Sequence, residues 1–437
     1  GKNRNFRLKR CWTSDVLSER VILQTMETLY DANVFDGLYD AAKGRERSDW
    51  LIGFNATRAF TSLYSKGSGT LSIGRVQTPV LSLIVEREDE ILHFKEREFY
   101  NVVATSSSVE AKALLKDMQG DRFAFNEKII ATNLIEKCKP NLFLVSELST
   151  KIKNSYPAKL FSIPTLQQSA NKTFGYSPDL TLKIAQSLYE KRFITYPRTD
   201  SEVLGNEEKD DTKIQKRALG VSEIITDSQE KIMLMRNVED VGLRVFNPKK
   251  LTDHHAILPA YQEEWSGKVS SLTLDEANLF KLISTRFVDA FLPAMQSSES
   301  EAVLENDNEK FIAKAKEIID LGYEQFNENR SKSSTLNLIK GEKISLNLSL
   351  VSLTTTSPKR YTQGEMIGVM SRAHRYIDSD DKALTEALKE ADGLGTGATR
   401  DKFLPLLEKR GFIEIKNNII FPLTRGIELI ELLCNSP

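Results

Sequence analysis

Apolar residues recur with period two in two separated stretches, about 95–156 and 298–356, and this interruption is what most limits the possible folds. Phe99-Tyr100-Asn101-Val102-Val103-Ala104 and Leu142-Phe143-Leu144-Val145-Ser146 read as strands in the first. Glu301-Ala302-Val303-Leu304, Phe311-Ile312-Ala313 and the cleanly alternating run Ile344 to Leu350 read so in the second. The two pieces, 91–156 and 298–356, are therefore expected to form one β-rich domain interrupted by 157–297. Residues 1–90 and 357–437 read as helical and are expected to make a second discontinuous domain. The predicted fold class is multidomain α+β, mostly helical, with an antiparallel sheet.

Composition narrows the function less. The 437 residues are 40% hydrophobic and 28% charged, as in a soluble folded protein. No apolar run approaches the ~20 residues of a membrane span, and no secretory signal opens the chain. Cys11, Cys138 and Cys434 are too scattered for a disulfide framework or a zinc site, so a reducing cytosol is expected. Net charge is −1, so any nucleic-acid site must be a local groove. Gly1-Lys2-Asn3-Arg4 leads straight into what reads as the interior of a domain, and a fragment is expected.

The densest chemistry lies in the interrupting segment, at Phe193-Ile194-Thr195-Tyr196-Pro197-Arg198-Thr199-Asp200-Ser201. Ser177-Pro178 predicts a helix start, and Leu180, Ile184, Ala185 and Leu188 follow at helical spacing. Pro197 disfavours helical backbone before it, so Tyr196 is expected on extended chain with Arg198 on the same side. A phenol of pKa near ~10 is a poor nucleophile. A nearby cation favours its phenolate and also binds a phosphate oxygen. The pair suits attack on a phosphodiester; by itself it equally fits a buried tyrosine beside a surface arginine.

Other segments could meet nucleic acid. Arg45 and Asp49 are i, i+4 and can pair on one helix face. In Gly74-Arg75-Val76-Gln77-Thr78-Pro79, Arg75 and Gln77 can donate to phosphates, and Thr78 opens a helix whose N-terminus favours an anion. Gln167 and Gln168 could bond a phosphate or sugar, or simply decorate a helix. Gly393-Leu394-Gly395-Thr396-Gly397-Ala398-Thr399-Arg400 is glycine-rich backbone before a helix, without the Gly-Lys-Ser/Thr of a P-loop. His254 and His255 point to opposite sides of an extended chain and have no companion ligands, so no metal site is expected. The charged tract between Glu202 and Lys231 reads as a solvated face or mobile loop. Finally, Leu188 to Ile194 echoes Leu407 to Ile413: a helix end, a basic pair, then a strand. Two winged-helix-like (CAP-like) units would fit.

Ile194 to Ser201 resembles the active-site segment of type IA DNA topoisomerases along its whole length, most closely in the topoisomerase III branch. The resemblance extends to the segment from Arg45 to Thr61, to Gly74 to Pro79, to Thr165-Leu166-Gln167-Gln168, to Asp253 to Pro259, to Arg360-Tyr361-Thr362 and to Gly393 to Arg400. It implies the toroidal body of that family, with a β-arch, and a nucleophilic Tyr196, a phosphate-stabilising Arg198, and His254 near the scissile phosphate. It also implies DNA contacts from Arg45, Asp49, Arg75, Gln77, Thr78, Gln167, Gln168, Thr199, Asp200, Ser201, Thr396, Thr399 and Arg400. Gln363 replaces the family's acidic residue, and Gly397 stands where proline is usual.

The family's Toprim domain carries an early glutamate and lysine and an acidic cluster for magnesium, and none of these motifs is found here. Asp378-Ser379-Asp380-Asp381 has the wrong spacing and reads as a loop. The resemblance therefore implies Mg2+ only in the complete enzyme, no metal on this chain, and little relaxation by this chain alone. Implied partners are single-stranded and negatively supercoiled DNA, with no membrane, from a monomeric, cytoplasmic, nucleoid-associated protein. The alternative is a non-catalytic single-strand-binding module on the same scaffold.

Overall fold

The computed structural model describes residues 8–11, 19–65, 67, 69–117, 120–251, 254–265, 268–330, 332–376, 382–391 and 393–435. The expected cap Thr13-Ser14-Asp15 and the loop Asp378 to Asp381 lie outside them. The fold is a mixed α+β type, and its contacts divide it into two compact units: 93–157 with 292–358, and 1–92 with 158–291 and 359–437. No described helix is long and apolar enough to cross a membrane.

The first unit is built on an antiparallel sheet. Its order is Asn347–Thr354, Glu98–Thr105, Glu110–Asp117, Glu309–Asp320, Met295–Asn306, Phe143–Ser155, Lys343–Ile344. The run from Ile344 to Leu350 is not the single strand its alternation predicts. Ile344 pairs with Phe143 at one edge, and Asn347 opens the strand at the opposite edge, where it faces Thr105. Three residues cannot reach beyond about 11 Å, whereas the edges of a flat sheet of seven strands would lie about 29 Å apart. The sheet is therefore curled on itself. Val102, Ala104, Phe143, Val145, Leu304 and Phe311 fill its inside, and Ala131, Leu134 and Cys138 of the helix Lys128–Cys138 close it.

The second unit holds two hydrophobic clusters. One gathers Phe193, Ile194, Leu204, Ile257, Trp265, Phe280 and Phe287. The other gathers Leu81, Met366, Met370, Leu404, Phe412, Ile420 and Leu429. They meet where the helix Ile163–Phe174 packs on Gln363–Ser371. The approach is so close that a Cβ on Gly364 would sit 2.6 Å from Asn171 Oδ1. Thr362 caps the second helix as expected, accepting the Glu365 N–H at 3.2 Å.

The internal echo has a common geometry. Phe193 N–H donates to Leu188 O, and Phe412 N–H to Leu407 O, at 2.8 and 3.1 Å. The residue before each phenylalanine, Arg192 or Gly411, has φ of 69°. The continuations differ. Ile413–Lys416 turns through Asn417 and Asn418, both left-handed, and pairs with Ile419–Pro422 as a hairpin. Ile194 instead bridges to Pro259. The charged tract is also more integrated than its composition predicts. Arg217, fully buried on the helix Asp211–Gly220, donates to Pro259 O at 2.6 Å and lies over the Tyr261 ring.

Candidate active site

The helix Pro178–Glu190 delivers the chain to the tyrosine. Ser177 Oγ accepts the Leu180 N–H at 3.1 Å, and Pro178 occupies the first turn. Leu182, Ile184, Ala185 and Leu188 form its buried stripe, while Leu180 is 38% exposed. Glu276 braces the far end. Burial pushes its carboxyl up, but hydrogen bonds from Lys191 Nζ, Ser187 Oγ and Thr273 N–H outweigh this and hold its pKa at about 2.

Past Phe193 the chain is extended and its burial alternates. Thr195, Pro197, Thr199 and Ser201 point inward, while Tyr196, Arg198 and Asp200 are half-exposed. Thr195 fixes the register by donating its N–H to Leu258 O and accepting the Leu258 N–H on Oγ1, both at 2.9 Å. Leu258 belongs to the histidine segment, so these bonds hold that segment beside the tyrosine. Thr199 Oγ1 donates to His254 O at 3.0 Å from the same side. As a result the His254 and Tyr196 rings lie 4.6 Å apart between centroids, with planes at 50°. Tyr189 meets Tyr196 edge-on at 5.5 Å. His255 is 5% exposed and its Nδ1 lies 2.7 Å from Ala256 O.

The glycine-rich loop lies against the same extended segment. Arg198 Nη1 donates to Ala398 O at 3.4 Å, and Gly397 N–H donates to Asp200 Oδ2 at 3.1 Å. Arg400, 1% exposed, donates to Asp200 Oδ1, Leu394 O and Gly395 O. Thr399 Oγ1 accepts the Thr396 N–H and closes the turn. Asp401 adds a carboxyl that the sequence reading passed over. It is 3% exposed, its Oδ1 has no hydrogen-bond partner, and burial raises its pKa against the nearby charges of Lys402 and Arg198.

Several residues assigned to DNA by resemblance face inward in this conformation. Thr199 and Ser201 are 3% and 2% exposed, and the Ser201 hydroxyl is bonded to Val203 O. Gln167 is fully buried and donates to Pro178 O, while Gln168 donates to Pro164 O on its own helix. Arg400 fastens the loop, as above. Gln77 is 6% exposed, bonded to Ser72 Oγ and to Arg410. Thr78 Oγ1 accepts the Gly74 N–H. Their side chains make hydrogen bonds within the protein in this conformation. Asp49 pairs with Arg75 at 2.8 Å instead of with Arg45, which is exposed on the helix Asp36–Tyr64. The long-range partner is better because Arg75 arrives from a fixed turn. Asp49, Arg75 and Gln77 line a cavity of about 550 Å³ with Phe54, Arg58 and Arg410.

The Tyr196 ring thus lies against the His254 ring, and the next outward residue, Arg198, is bonded to the glycine-rich loop. The family model for DNA topoisomerase matches residues 33–437, and the chain belongs to the type IA DNA topoisomerase family. It is 31% identical to DNA topoisomerase 3 of Bacillus cereus over 438 residues, and 31% identical to DNA topoisomerase 3 of Bacillus subtilis over 437. Each match covers 98% of this chain and 58% of the relative, so the chain spans little more than half their length. In fold it is similar to full-length topoisomerase I from Thermotoga maritima, with a TM-score of 0.67 and 24% identity over 97% of this chain and 65% of that one.

Proposed function

We propose that this chain is the strand-cleaving body of a topoisomerase III-like enzyme, in which Tyr196 opens one DNA strand. Tyr196 Oη attacks the phosphorus, the bond from phosphorus to the 3′ oxygen breaks, and the 5′ phosphate stays on the tyrosine. The phenol loses a proton and the departing 3′ oxygen gains one, so the step is neutral overall. In this reading His254, whose ring lies 4.6 Å from the Tyr196 ring between centroids, carries that proton, and Arg198 holds the phosphate oxygens. The other strand passes through the break, and the 3′ hydroxyl then reverses the attack. No ATP is needed, because the phosphotyrosine keeps the energy of the broken bond. The substrate is single-stranded or negatively supercoiled DNA, in the cytoplasm.

The observation that carries this reading is the contact of the Tyr196 and His254 rings at 4.6 Å on a segment whose next outward residue is Arg198. Among the described residues no group of three or more His, Cys, Asp or Glu could hold a metal ion. They do not fit as a magnesium site. The test is a denaturant quench of the full-length protein on end-labelled single-stranded DNA. A covalent adduct that disappears in Tyr196→Phe supports the reading; its absence from the unsubstituted protein leaves a binding module.

A further inference from the structure

A carboxylate shut away from water costs free energy unless something answers its charge. Asp401 is 3% exposed, and its Oδ1 is shielded from solvent without a hydrogen-bond partner. It lies in the short turn Arg400–Lys402, which packs on the helix Pro178–Glu190 that leads to Tyr196. The adjoining Arg400 directs its guanidinium to Asp200, Leu394 O and Gly395 O.

Burial raises the Asp401 pKa, while Lys402, its own backbone N–H and Arg198 pull it back, and Asp179 adds to the rise. Lys402 is exposed, so water and salt screen its charge. Arg198 is half-buried and belongs to the tyrosine segment. The attraction acts on both partners: a carboxylate that gains from a guanidinium also restrains it. Arg198 needs such a restraint. Its hydrogen bond to Ala398 O, at 3.4 Å, is longer than the roughly 2.7–3.2 Å usual for an N–H donor. A guanidinium held by one long bond keeps several donors for another partner.

We propose that Asp401 is a positioning residue for strand cleavage, its buried charge holding Arg198 against the glycine-rich loop so that the guanidinium meets the phosphate at Tyr196. The inference rests on the reading that Arg198 holds the scissile phosphate, and it adds the residue that places that arginine. A merely structural carboxyl would leave a different signature. Asparagine keeps the shape of Asp401 and removes the cost of burying a charge. Asp401→Asn should therefore fold at least as stably, and only the placement of Arg198 should suffer.

The test uses the full-length protein with saturating end-labelled single-stranded DNA and a denaturant quench at timed intervals. Asp401→Asn is expected to form the Tyr196 adduct about 5- to 100-fold more slowly. Its affinity for the same DNA, read by fluorescence anisotropy, should be unchanged, and its melting temperature equal or higher. An adduct formed at the unsubstituted rate overturns the placement of Arg198 by Asp401. So does a slowing that comes with a lower melting temperature or weaker DNA binding, which would assign Asp401 to the fold. Either result leaves strand cleavage by Tyr196 standing. No adduct from the unsubstituted protein overturns both.

Discussion

Asp200 Oδ1 accepts a hydrogen bond from the buried Arg400 Nη1 at 3.2 Å, two residues past Arg198. Its other oxygen accepts the Gly397 N–H. One carboxylate thus ties the tyrosine segment to the glycine loop, and removing it strands a guanidinium that is 1% exposed. Asp200→Ala should lower the unfolding free energy by about 3 kcal/mol. Urea denaturation checks this, and a loss within the ±0.5 kcal/mol typical of a surface substitution would contradict the latch.

Gly397 stands where the family resemblance leads one to expect proline, and the structure supplies a reason. A Cβ there would lie 2.5 Å from Asp200 Oδ1 and 2.8 Å from Ile163 Cγ2. Proline would also delete the N–H that Asp200 accepts. Gly397→Ala should cost about 1–3 kcal/mol through crowding, and Gly397→Pro more. Thermal unfolding of the two variants gives the order; a stabilising proline would show that the loop sits elsewhere.

Glu276 makes folding sensitive to acid. Its folded pKa of about 2 lies below the ordinary 4.5, so its contribution is complete above pH 4.5 and disappears as pH falls toward 2. Lys191 is 35% exposed, and screening there reduces the effect to about 1–2 kcal/mol. Glu276→Gln should be less stable at pH 6 and should lose this part of the acid dependence. Unfolding curves between pH 6 and pH 2.5 measure it, and parallel pH profiles for the two proteins would refute it.

Cys138 lies inside the sheet, and burial pushes its thiol up to about 11. Cys11 and Cys434 are exposed. Iodoacetamide at pH 8 should therefore modify two cysteines in the native chain and the third only in denaturant, as mass spectrometry would show. Rapid native labelling of Cys138 would mean that the sheet opens.

Local chemistry was well written in the sequence, and long-range closure was not. Ser177-Pro178, Thr362 and the Asn417-Asn418 turn act through neighbours a few residues away, and each occurs where its type demands. The broken alternation after Ile344 was illegible, because period two says which face a residue takes and not which edge its strand joins. Arg45 and Asp49 had ideal spacing, but a helix pattern cannot reveal that Arg75 arrives from outside. The hydroxyls of Thr199 and Ser201 carry no sign of their direction until the alternation beginning at Thr195 is seen in three dimensions.

Relaxation bears on the division of labour within the family. This chain alone, given magnesium and negatively supercoiled plasmid, is expected to bind and to relax little or none. Gel electrophoresis of topoisomers decides it, and efficient relaxation would mean that these residues suffice for the whole cycle.

The central claim is that the phenol of Tyr196 becomes bonded to DNA. The most direct measurement is peptide mapping of the adduct trapped by denaturing the full-length protein on single-stranded DNA. The account predicts nucleotide mass on the peptide containing Tyr196, joined through the DNA 5′ phosphate and leaving a free 3′ hydroxyl. Nucleotide mass on any other residue, or attachment through a 3′ phosphate, would contradict it.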